Sequence, residues 1–189
     1  MRSLYISDAY RKASLDRPYS MIQIHAAAGH RTRGWLAFGG FIIPVSLGRG
    51  GIKANKREGD GGTPRGTFQP RRLWWRADRY RRPRTFLPVR AIGPQDGWCE
   101  DPAHRHYNKP VRLDRDRVGD RLLRDDHLYD FVIELDHNTR PRVAGRGSAV
   151  FLHLARTNFA PTAGCVAMTR TAMLRLLARL GPDTRILIE

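Results

Sequence analysis

The residues best able to do chemistry in this 189-residue sequence are a histidine and a cysteine near its C-terminal end. They lie in the segment FLHLARTNFAPTAGCVAM, where His153 ends an apolar run and Cys165 follows Gly164. A thiol becomes a strong nucleophile when a nearby imidazole accepts its proton. Backbone amides around Cys165 could form an oxyanion hole, with Gly164 leaving room for an acyl group. The alternative is a buried structural cysteine beside an unrelated histidine.

Strands are needed to hold these two side chains in place. Apolar runs predict strands at residues 129–135, at residues 149–154, which carry His153, and at residues 185–188. The loop between His153 and Cys165 is long enough to fold back. We therefore expect the two side chains to meet.

A helix is predicted after the cysteine. Apolar residues recur on one face over residues 169–180, with Thr169 or Thr171 as the cap and Gly181-Pro182 as the stop. Because the helix begins shortly after Cys165, we expect its N-terminal amides to point toward the sulfur.

The N-terminal half also reads as strands. Runs at residues 21–24, 35–38 and 41–45 are apolar, and the last two are separated by Gly39-Gly40, which predicts a hairpin. Residues 70–128, which include three of the four tryptophans, show no clear period and are expected to be irregular. The predicted fold class is mostly β. Residues 1–19 form a polar lead-in, and residues 20–189 form the catalytic domain.

Composition limits the partners. Lys and Arg number 34 against 18 Asp and Glu, a net charge of +16, which favours an anionic partner such as nucleic acid or a cell-wall polymer. No run of 18 apolar residues predicts a membrane span, and the first residues lack the apolar core of a signal peptide. The two cysteines, Cys99 and Cys165, could pair or could be one structural and one reactive thiol.

A glycine-rich segment, GGIKANKREGDGGTPRGTF, follows the predicted hairpin. It lacks the residue order of a phosphate-binding loop and that of a dinucleotide-binding site. Two interpretations remain open, a loop that closes onto a ligand and a plain surface loop.

Two motifs together resemble the YkuD-type L,D-transpeptidases. Members carry a strand ending in histidine, a loop, then Ser/Thr-x-Gly-Cys and an apolar residue, here His153 and the letters TAGCV at residues 162–166. The letters GDGGTPRGTF at residues 59–68 match the family element Gly-x-Thr-Pro-x-Gly-x-Phe. Residues 96–111 and 128–138 show a weaker resemblance to compact proteobacterial members of the family. The resemblance extends from about residue 42 to the C-terminus.

That resemblance implies a β-sandwich of mixed sheets, with at least one helix after the cysteine loop. It also implies acyl transfer between peptidoglycan stem peptides in the periplasm, as part of cell-wall biogenesis and cell shape, without a cofactor or metal. Cys165 would be the nucleophile, His153 the base, oriented by a backbone carbonyl, and Gly164 part of the oxyanion-hole region. The remaining substrate-binding expectations are Thr162, Ala163, Val166, Arg156, Tyr129, His137 and Trp98.

One position departs from the family pattern. Many members have arginine two positions after the cysteine, where this sequence has Ala167. In lacking this arginine, and in its compact length, the chain resembles a proteobacterial branch of the family. That branch joins L-Ala to diaminopimelate, which is a 1,3 rather than a 3,3 cross-link. The cations that could replace the arginine are Arg156, Arg170, Lys53, Arg57 and Arg65.

Two other clusters have weaker interpretations. Cys99, His104 and His106, with Asp101 nearby, could hold a metal, but a fourth ligand is not evident, and a packed loop is favoured. The pair Trp74-Trp75 among arginines could stack on nucleic-acid bases, cover a substrate groove, or lie in the core.

Overall fold

The computed structural model describes residues 17–189, so the predicted lead-in at residues 1–19 lies almost entirely outside the described residues. Strands dominate the described chain, as the sequence predicts. No helix within this range is long and apolar enough to cross a membrane. The strands are β1 (Met21–Ala27), β2 (His30–Phe38), β3 (Phe41–Ser46), β4 (Ile52–Lys53), β5 (Thr63–Pro64), β6 (Gly66–Phe68), β7 (Pro70–Trp75), β8 (Val89–Ala91), β9 (Asp96–Cys99), β10 (Lys109–Arg112), β11 (Asp120–Arg121), β12 (Phe131–Leu135), β13 (Phe151–Leu154), β14 (Val166–Met168) and β15 (Arg185–Ile188).

Ten of these strands form one mixed sheet, in the order β6-β15-β1-β2-β3-β14-β13-β12-β7-β8. Strands β2 and β3 form the predicted hairpin, with Phe38 opposite Phe41. Gly39 and Gly40 both have positive φ (51° and 84°), the conformation that a tight two-residue hairpin turn requires. The central pair, β13 and β14, is parallel.

The two faces of this sheet bury different clusters, because side chains alternate along each strand. One face carries the main core, to which Ile24, Leu36, Val45, Leu152 and Met168 belong. The opposite face carries a second cluster that contains Trp74, Trp98, Phe151 and Cys165. A three-stranded sheet, β10-β9-β11, supplies Trp98, whose ring meets Phe151 edge-on at 5.0 Å. The layered mixed sheets agree with the predicted sandwich.

Helices are few in the described chain. Helix α1 (Leu113–Asp116) is a single turn, and α2 (Arg170–Leu177) is the predicted amphipathic helix. The hydroxyl of Thr169 caps α2 by accepting from the Ala172 amide at 3.3 Å. Met173, Leu176 and Leu177 are buried in the main core. Apolar burial on one side of α2 therefore fixes it against the main-core face.

The expectation of an irregular segment over residues 70–128 is wrong. The segment contains β7 to β11, and β7 pairs with β12 inside the main sheet. Trp74 is 1% exposed, and its indole nitrogen donates to Glu134 at 3.2 Å. The core interpretation of Trp74 is thus the one that holds. Arginines interrupt the apolar pattern of β7 in the sequence. One of them, Arg72, lies at the sheet surface and forms an ion pair with Glu134 (3.1 Å).

Asn108 ties the small sheet to the segment that precedes β13. Its side chain is 3% exposed and its backbone is left-handed (φ 53°), a conformation that asparagine tolerates well. Its carbonyl oxygen accepts from the Trp98 indole (3.2 Å) and from the Ala149 amide (3.1 Å). Its amide nitrogen donates to the carbonyls of His137 and Asn138, at 3.0 Å each.

We predict that Asn108→Ala destabilises the fold by about 2–5 kcal/mol, because it leaves several buried polar groups unpaired. Urea unfolding followed by circular dichroism measures this loss. The matched control is Asn55→Ala at an exposed position, with an expected change within about 0.5 kcal/mol. A loss below about 1 kcal/mol at Asn108 would show that the hydrogen bonds do not hold these elements together.

Candidate active site

The parallel pairing of β13 with β14 brings the histidine and the cysteine to one place. His153 lies opposite Ala167 in the register, and Leu152 lies opposite Val166. Cys165, two residues before Ala167, therefore shares a sheet face with His153. Both side chains line the same cavity of about 200 Å³. The two side chains that the sequence predicts to meet therefore open into one cavity.

His153 is oriented by its own backbone neighbour. Its Nδ1 donates to the carbonyl of Leu154 at 2.8 Å, which leaves Nε2 as the nitrogen that can accept a proton. The ring of Tyr129 packs edge-on against the imidazole, with centroids 5.4 Å apart. Burial lowers the pKa of His153 to about 4, so the imidazole is neutral at neutral pH.

The thiol of Cys165 is also kept neutral. Its side chain is buried, and Sγ donates to the carbonyl of Ala149 at 3.2 Å. Burial raises the pKa of Cys165 to about 12. The resting site is therefore a neutral thiol beside a neutral imidazole, rather than a preformed ion pair.

The turn at Ala149 orients the carbonyl that accepts the hydrogen bond from the Cys165 thiol. Ala149 has φ of 49°, a left-handed conformation that costs a non-glycine residue roughly 1–2 kcal/mol. Its amide is held by Asn108, and its carbonyl faces Cys165. Asn108 thus acts on the site indirectly, by holding the residue whose carbonyl accepts a hydrogen bond from Cys165. Sequence reasoning missed Asn108 because a lone asparagine in an irregular stretch carries no periodic signal.

The loop before the cysteine is folded by a threonine. The hydroxyl of Thr162 donates to the carbonyl of Cys165 (2.6 Å) and accepts from the amide of Gly164 (3.1 Å). Gly164 has φ of 145°, and a Cβ there would lie 2.9 Å from the carbonyl oxygen of Gly62. Glycine at 164 is required both by this backbone conformation and by the close packing of the glycine-rich segment.

The glycine-rich segment packs directly against the cysteine loop. The amide of Arg49 donates to the carbonyl of Thr162 in that loop at 2.9 Å, and the amide of Gly48 donates to the Thr63 hydroxyl at 2.8 Å. Inside the segment, Asp60 accepts from Lys56 Nζ and from the Gly62 amide, at 2.7 Å each. Burial alone would raise the pKa of Asp60, but these hydrogen bonds and one from Arg57 lower it to about 2. The segment is internally braced and forms one side of the site.

Two arginines line the cavity. Arg156, one of the predicted replacements for the family's arginine, is exposed at its rim. Arg124, which sequence reasoning missed, also lines it; its Nη2 pairs with Asp126 at 2.7 Å, and its guanidinium lies over the Tyr129 ring. The other proposed cations lie elsewhere: Lys53 pairs with Asp60 (3.8 Å), Arg170 lies over the Tyr80 ring, and neither Arg57 nor Arg65 lines the cavity.

The remaining predicted site residues divide into two groups. Thr162, Ala163 and Tyr129 line the cavity, together with Arg156. Three others do not: Val166 points into the main core, Trp98 is 3% exposed in the second cluster, and His137 packs its ring against Phe68 at 5.7 Å.

The N-terminus of helix α2 does not face the sulfur of Cys165. Strand β14 separates Cys165 from the first residue of α2, and the helix packs against the main core on the other face. The expectation that its N-terminal amides point toward Cys165 is wrong, because three extended residues span about 10 Å.

The possible metal cluster is a packed loop. Nδ1 of His104 accepts from the His106 amide at 3.1 Å, and His106 lies 3.3 Å from Asp116. Cys99 is fully buried and forms no disulfide with Cys165. Within residues 17–189, no three His, Cys, Asp or Glu side chains are grouped so that they could hold a metal ion.

Comparison with known proteins now gives the family. The sequence profile of YkuD, the L,D-transpeptidase catalytic domain, matches residues 33–188, so the chain belongs to this family. No curated protein matches significantly. A solved structure, that of Bdellovibrio bacteriovorus Bd1075, aligns with 13% identity and a TM-score of 0.45, over 92% of this chain and 48% of that one. The chain thus spans about half the length of Bd1075.

We predict that alkylation of Cys165 by iodoacetamide, on a Cys99→Ala background, accelerates about tenfold per pH unit from pH 7 to pH 9. The reason is that the thiolate fraction keeps rising well below a pKa of about 12. Intact-protein mass spectrometry measures the rate. A small-molecule thiol of pKa about 8.5 is the control, and its rate should level off near pH 9. A rate at Cys165 that is already constant at pH 7 would contradict the neutral resting thiol.

Proposed function

We propose that this protein is a peptidoglycan L,D-transpeptidase with Cys165 as nucleophile and His153 as general base. The observation that carries the proposal is the shared cavity, into which Cys165 and an imidazole held by Leu154 both open. Family membership supports the class of reaction. We propose the periplasm as its location, since cell-wall stem peptides lie there.

The first half-reaction would form a thioester. Sγ of Cys165 attacks a peptide carbonyl carbon of the donor stem peptide while its proton passes to Nε2 of His153. The carbonyl of Leu154 accepts from Nδ1 and thereby stabilises the imidazolium that forms. The C–N bond then breaks, and His153 returns the proton to the departing amine.

The second half-reaction would transfer the acyl group to an amine. The amine of a second stem peptide attacks the thioester carbonyl and gives a proton to His153, which passes it to the leaving thiolate. With a free amino acid as acceptor the outcome is exchange. With water as acceptor the same thioester gives L,D-carboxypeptidase or endopeptidase activity, which is the alternative outcome.

The oxyanion donor would be the amide of Cys165. The neighbouring amide of Gly164 is already engaged by the Thr162 hydroxyl at 3.1 Å. Thr162 also holds the Cys165 carbonyl, so its hydroxyl fixes the peptide planes on both sides of the one that carries the Cys165 amide. Gly164 therefore acts through loop shape rather than as a donor.

The acceptor geometry would differ from that of relatives with arginine after the cysteine. Ala167 lies opposite His153 and is 1% exposed, so the floor of the cavity carries a methyl group where those relatives carry a cation. The cations of this cavity, Arg124 and Arg156, enter from the rim instead. We propose a 1,3 rather than a 3,3 cross-link on the ground of the missing arginine and the compact length, which the chain shares with the branch it resembles.

The positive charge of the chain suggests a second role for its surface. A net charge of +16 favours contact with an anionic wall polymer more than with nucleic acid, given the family. A non-catalytic basic module is the competing function. It predicts salt-sensitive polymer binding without any covalent chemistry at Cys165.

We predict that Cys165→Ala lowers the formation of cross-linked or shortened products from disaccharide-tetrapeptides at least about a thousandfold, because no thioester can form. We also expect a carbapenem β-lactam to add one covalent mass to wild-type protein and none to the variant. Product chromatography and intact-protein mass measure the two effects.

The matched control is Cys99→Ala, which removes the other buried cysteine and should retain activity and adduct formation. Full activity of Cys165→Ala would refute the nucleophile. Polymer binding with neither products nor adduct in the wild type would favour the basic module.

A further inference from the structure

A strap of irregular backbone, residues 145–149, leads into β13 beside the active-site cysteine. Every second residue of the strap is left-handed, with φ of 77° at Gly145, 95° at Gly147 and 49° at Ala149. None of residues 145–149 belongs to a strand or a helix. Because no regular ladder of hydrogen bonds fixes the strap, its shape depends on hydrogen bonds from other parts of the chain.

Side chains from two other segments hold the strap. In the segment after β12, His137 donates through Nε2 to the carbonyl of Arg146 at 3.1 Å. Its neighbour Asn138 donates to the carbonyl of Gly147 at 2.9 Å. Asn108, just before β10, accepts from the last amide of the strap at 3.1 Å. These contacts fix parts of the strap but leave its beginning and its serine to a third segment.

The glycine-rich segment supplies the remaining contacts through Glu58. The backbone amide of Glu58 donates to the carbonyl of Gly145 at 2.9 Å. One side-chain oxygen, Oε2, accepts from the hydroxyls of Ser148 (2.7 Å) and Tyr107 (2.5 Å). The Tyr107 hydroxyl in turn accepts from the amide of Gly147 at 3.0 Å. Glu58 therefore holds three residues of the strap, directly or through one tyrosine.

The hydrogen bonds of the Glu58 carboxylate are shielded from water. Tyr107 is 4% exposed and Ser148 is 9% exposed, while Glu58 is half-buried. Burial raises the pKa of Tyr107, and its hydrogen bond to Glu58 raises it further, so the phenol stays protonated and remains a donor. Hydrogen bonds to a carboxylate are charge-assisted and stronger than those between neutral groups. Glu58 is thus a firm anchor for the strap.

The strap ends at the sulfur of the active-site cysteine. The carbonyl of Ala149 accepts from Sγ of Cys165 at 3.2 Å. Burial raises the pKa of Cys165, and a hydrogen bond from the Phe151 amide partly offsets that rise. Within residues 17–189, Sγ makes no hydrogen bond with His153. At rest, the backbone around the start of β13 therefore holds the thiol, and the base does not.

The glycine-rich segment also touches the loop on the other side of the sulfur. A Cβ at Gly164 would lie 2.9 Å from the carbonyl oxygen of Gly62 and 3.7 Å from Cε of Lys56. A Cβ at Gly147 would lie 2.9 Å from Cγ of the same lysine. The segment therefore packs between the strap and the cysteine loop. Its side-chain hydrogen bonds to the strap come from Glu58.

We propose that Glu58 is a positioning residue for the reaction at Cys165, and that it acts through the strap and the carbonyl of Ala149. Glu58 does not line the catalytic cavity, so it acts on the thiol and not on the substrate. Without its hydrogen bonds, the left-handed backbone relaxes and turns the carbonyl away from the sulfur. The proposal rests on the proposed function for its products, whereas the reactivity of the thiol is measured independently of that function.

Alkylation by iodoacetamide at one fixed pH, mapped to each cysteine by peptide mass spectrometry, tests the hold on the thiol. In Glu58→Ala we expect Cys165 to react about three- to tenfold faster, because a hydrogen bond that stabilises the neutral thiol is lost. Cys99 is fully buried and should stay protected, which reports an intact fold. The matched control is Asn55→Ala, an exposed position in the same segment, with an unchanged rate. An unchanged rate at Cys165 in Glu58→Ala, or equally fast reaction of Cys99, would overturn the proposal.

Product formation from disaccharide-tetrapeptides separates positioning from a merely structural role. We expect Glu58→Ala to lower kcat about tenfold and to change KM less than about twofold, although its thiol reacts faster with iodoacetamide. Glu58→Gln keeps an oxygen that accepts from both hydroxyls, and it should restore kcat to within about threefold of the wild type. Ser148→Ala removes one hydrogen bond and should have an intermediate effect. Equal losses in Glu58→Gln and Glu58→Ala would contradict the role of the hydrogen bonds.

Failure of the proposed function gives a different pattern from failure of this proposal. If the proposed function fails, no variant forms product, but the difference in alkylation between Glu58→Ala and Glu58→Gln remains. If the positioning role fails, the wild type forms product and the alkylation rates of the two variants are the same.

Discussion

The parallel pairing of β13 with β14 is the constraint on which the rest of this structure depends. Parallel neighbours cannot be joined by a tight turn; they need a crossover of about a dozen residues. Residues 155–165 are that crossover, and the register sets His153 opposite Ala167 with Cys165 just before it. The number of residues between His153 and Cys165 is therefore set by the crossover that joins two parallel strands. Residues of the same loop line the cavity.

Burial sets the chemistry of the pair. It raises the pKa of Cys165 and lowers that of His153, so neither group carries charge at rest. A neutral pair is compatible with the second apolar cluster around Cys165, where an unpaired ion would be costly. The strain at Ala149, held by Asn108, directs a carbonyl toward the thiol. In the proposed mechanism, proton transfer from Cys165 to His153 waits for a substrate whose carbonyl can accept the developing charge.

Strong local patterns made much of this predictable. The hairpin around Gly39-Gly40, the β13 strand and the α2 helix carry clear apolar periods, and each contributes side chains to the main core. Residues 70–128 were misread because their arginines and short strands serve a sheet whose pairing partners are distant in sequence. The roles of Asn108 and Arg124 depend on strand register. Register is a property of the fold and cannot be read from one stretch of sequence.

The central claim is a neutral pair in which Nδ1 of His153 is bound to Leu154 and Nε2 is free to accept a proton. Nitrogen NMR of labelled His153 from pH 5 to pH 9 tests it most directly, because the two ring nitrogens report tautomer and charge separately. The account predicts a protonated Nδ1 and an unprotonated Nε2 throughout this range. An imidazolium at pH 7, which would indicate an ion pair with a Cys165 thiolate, would contradict it.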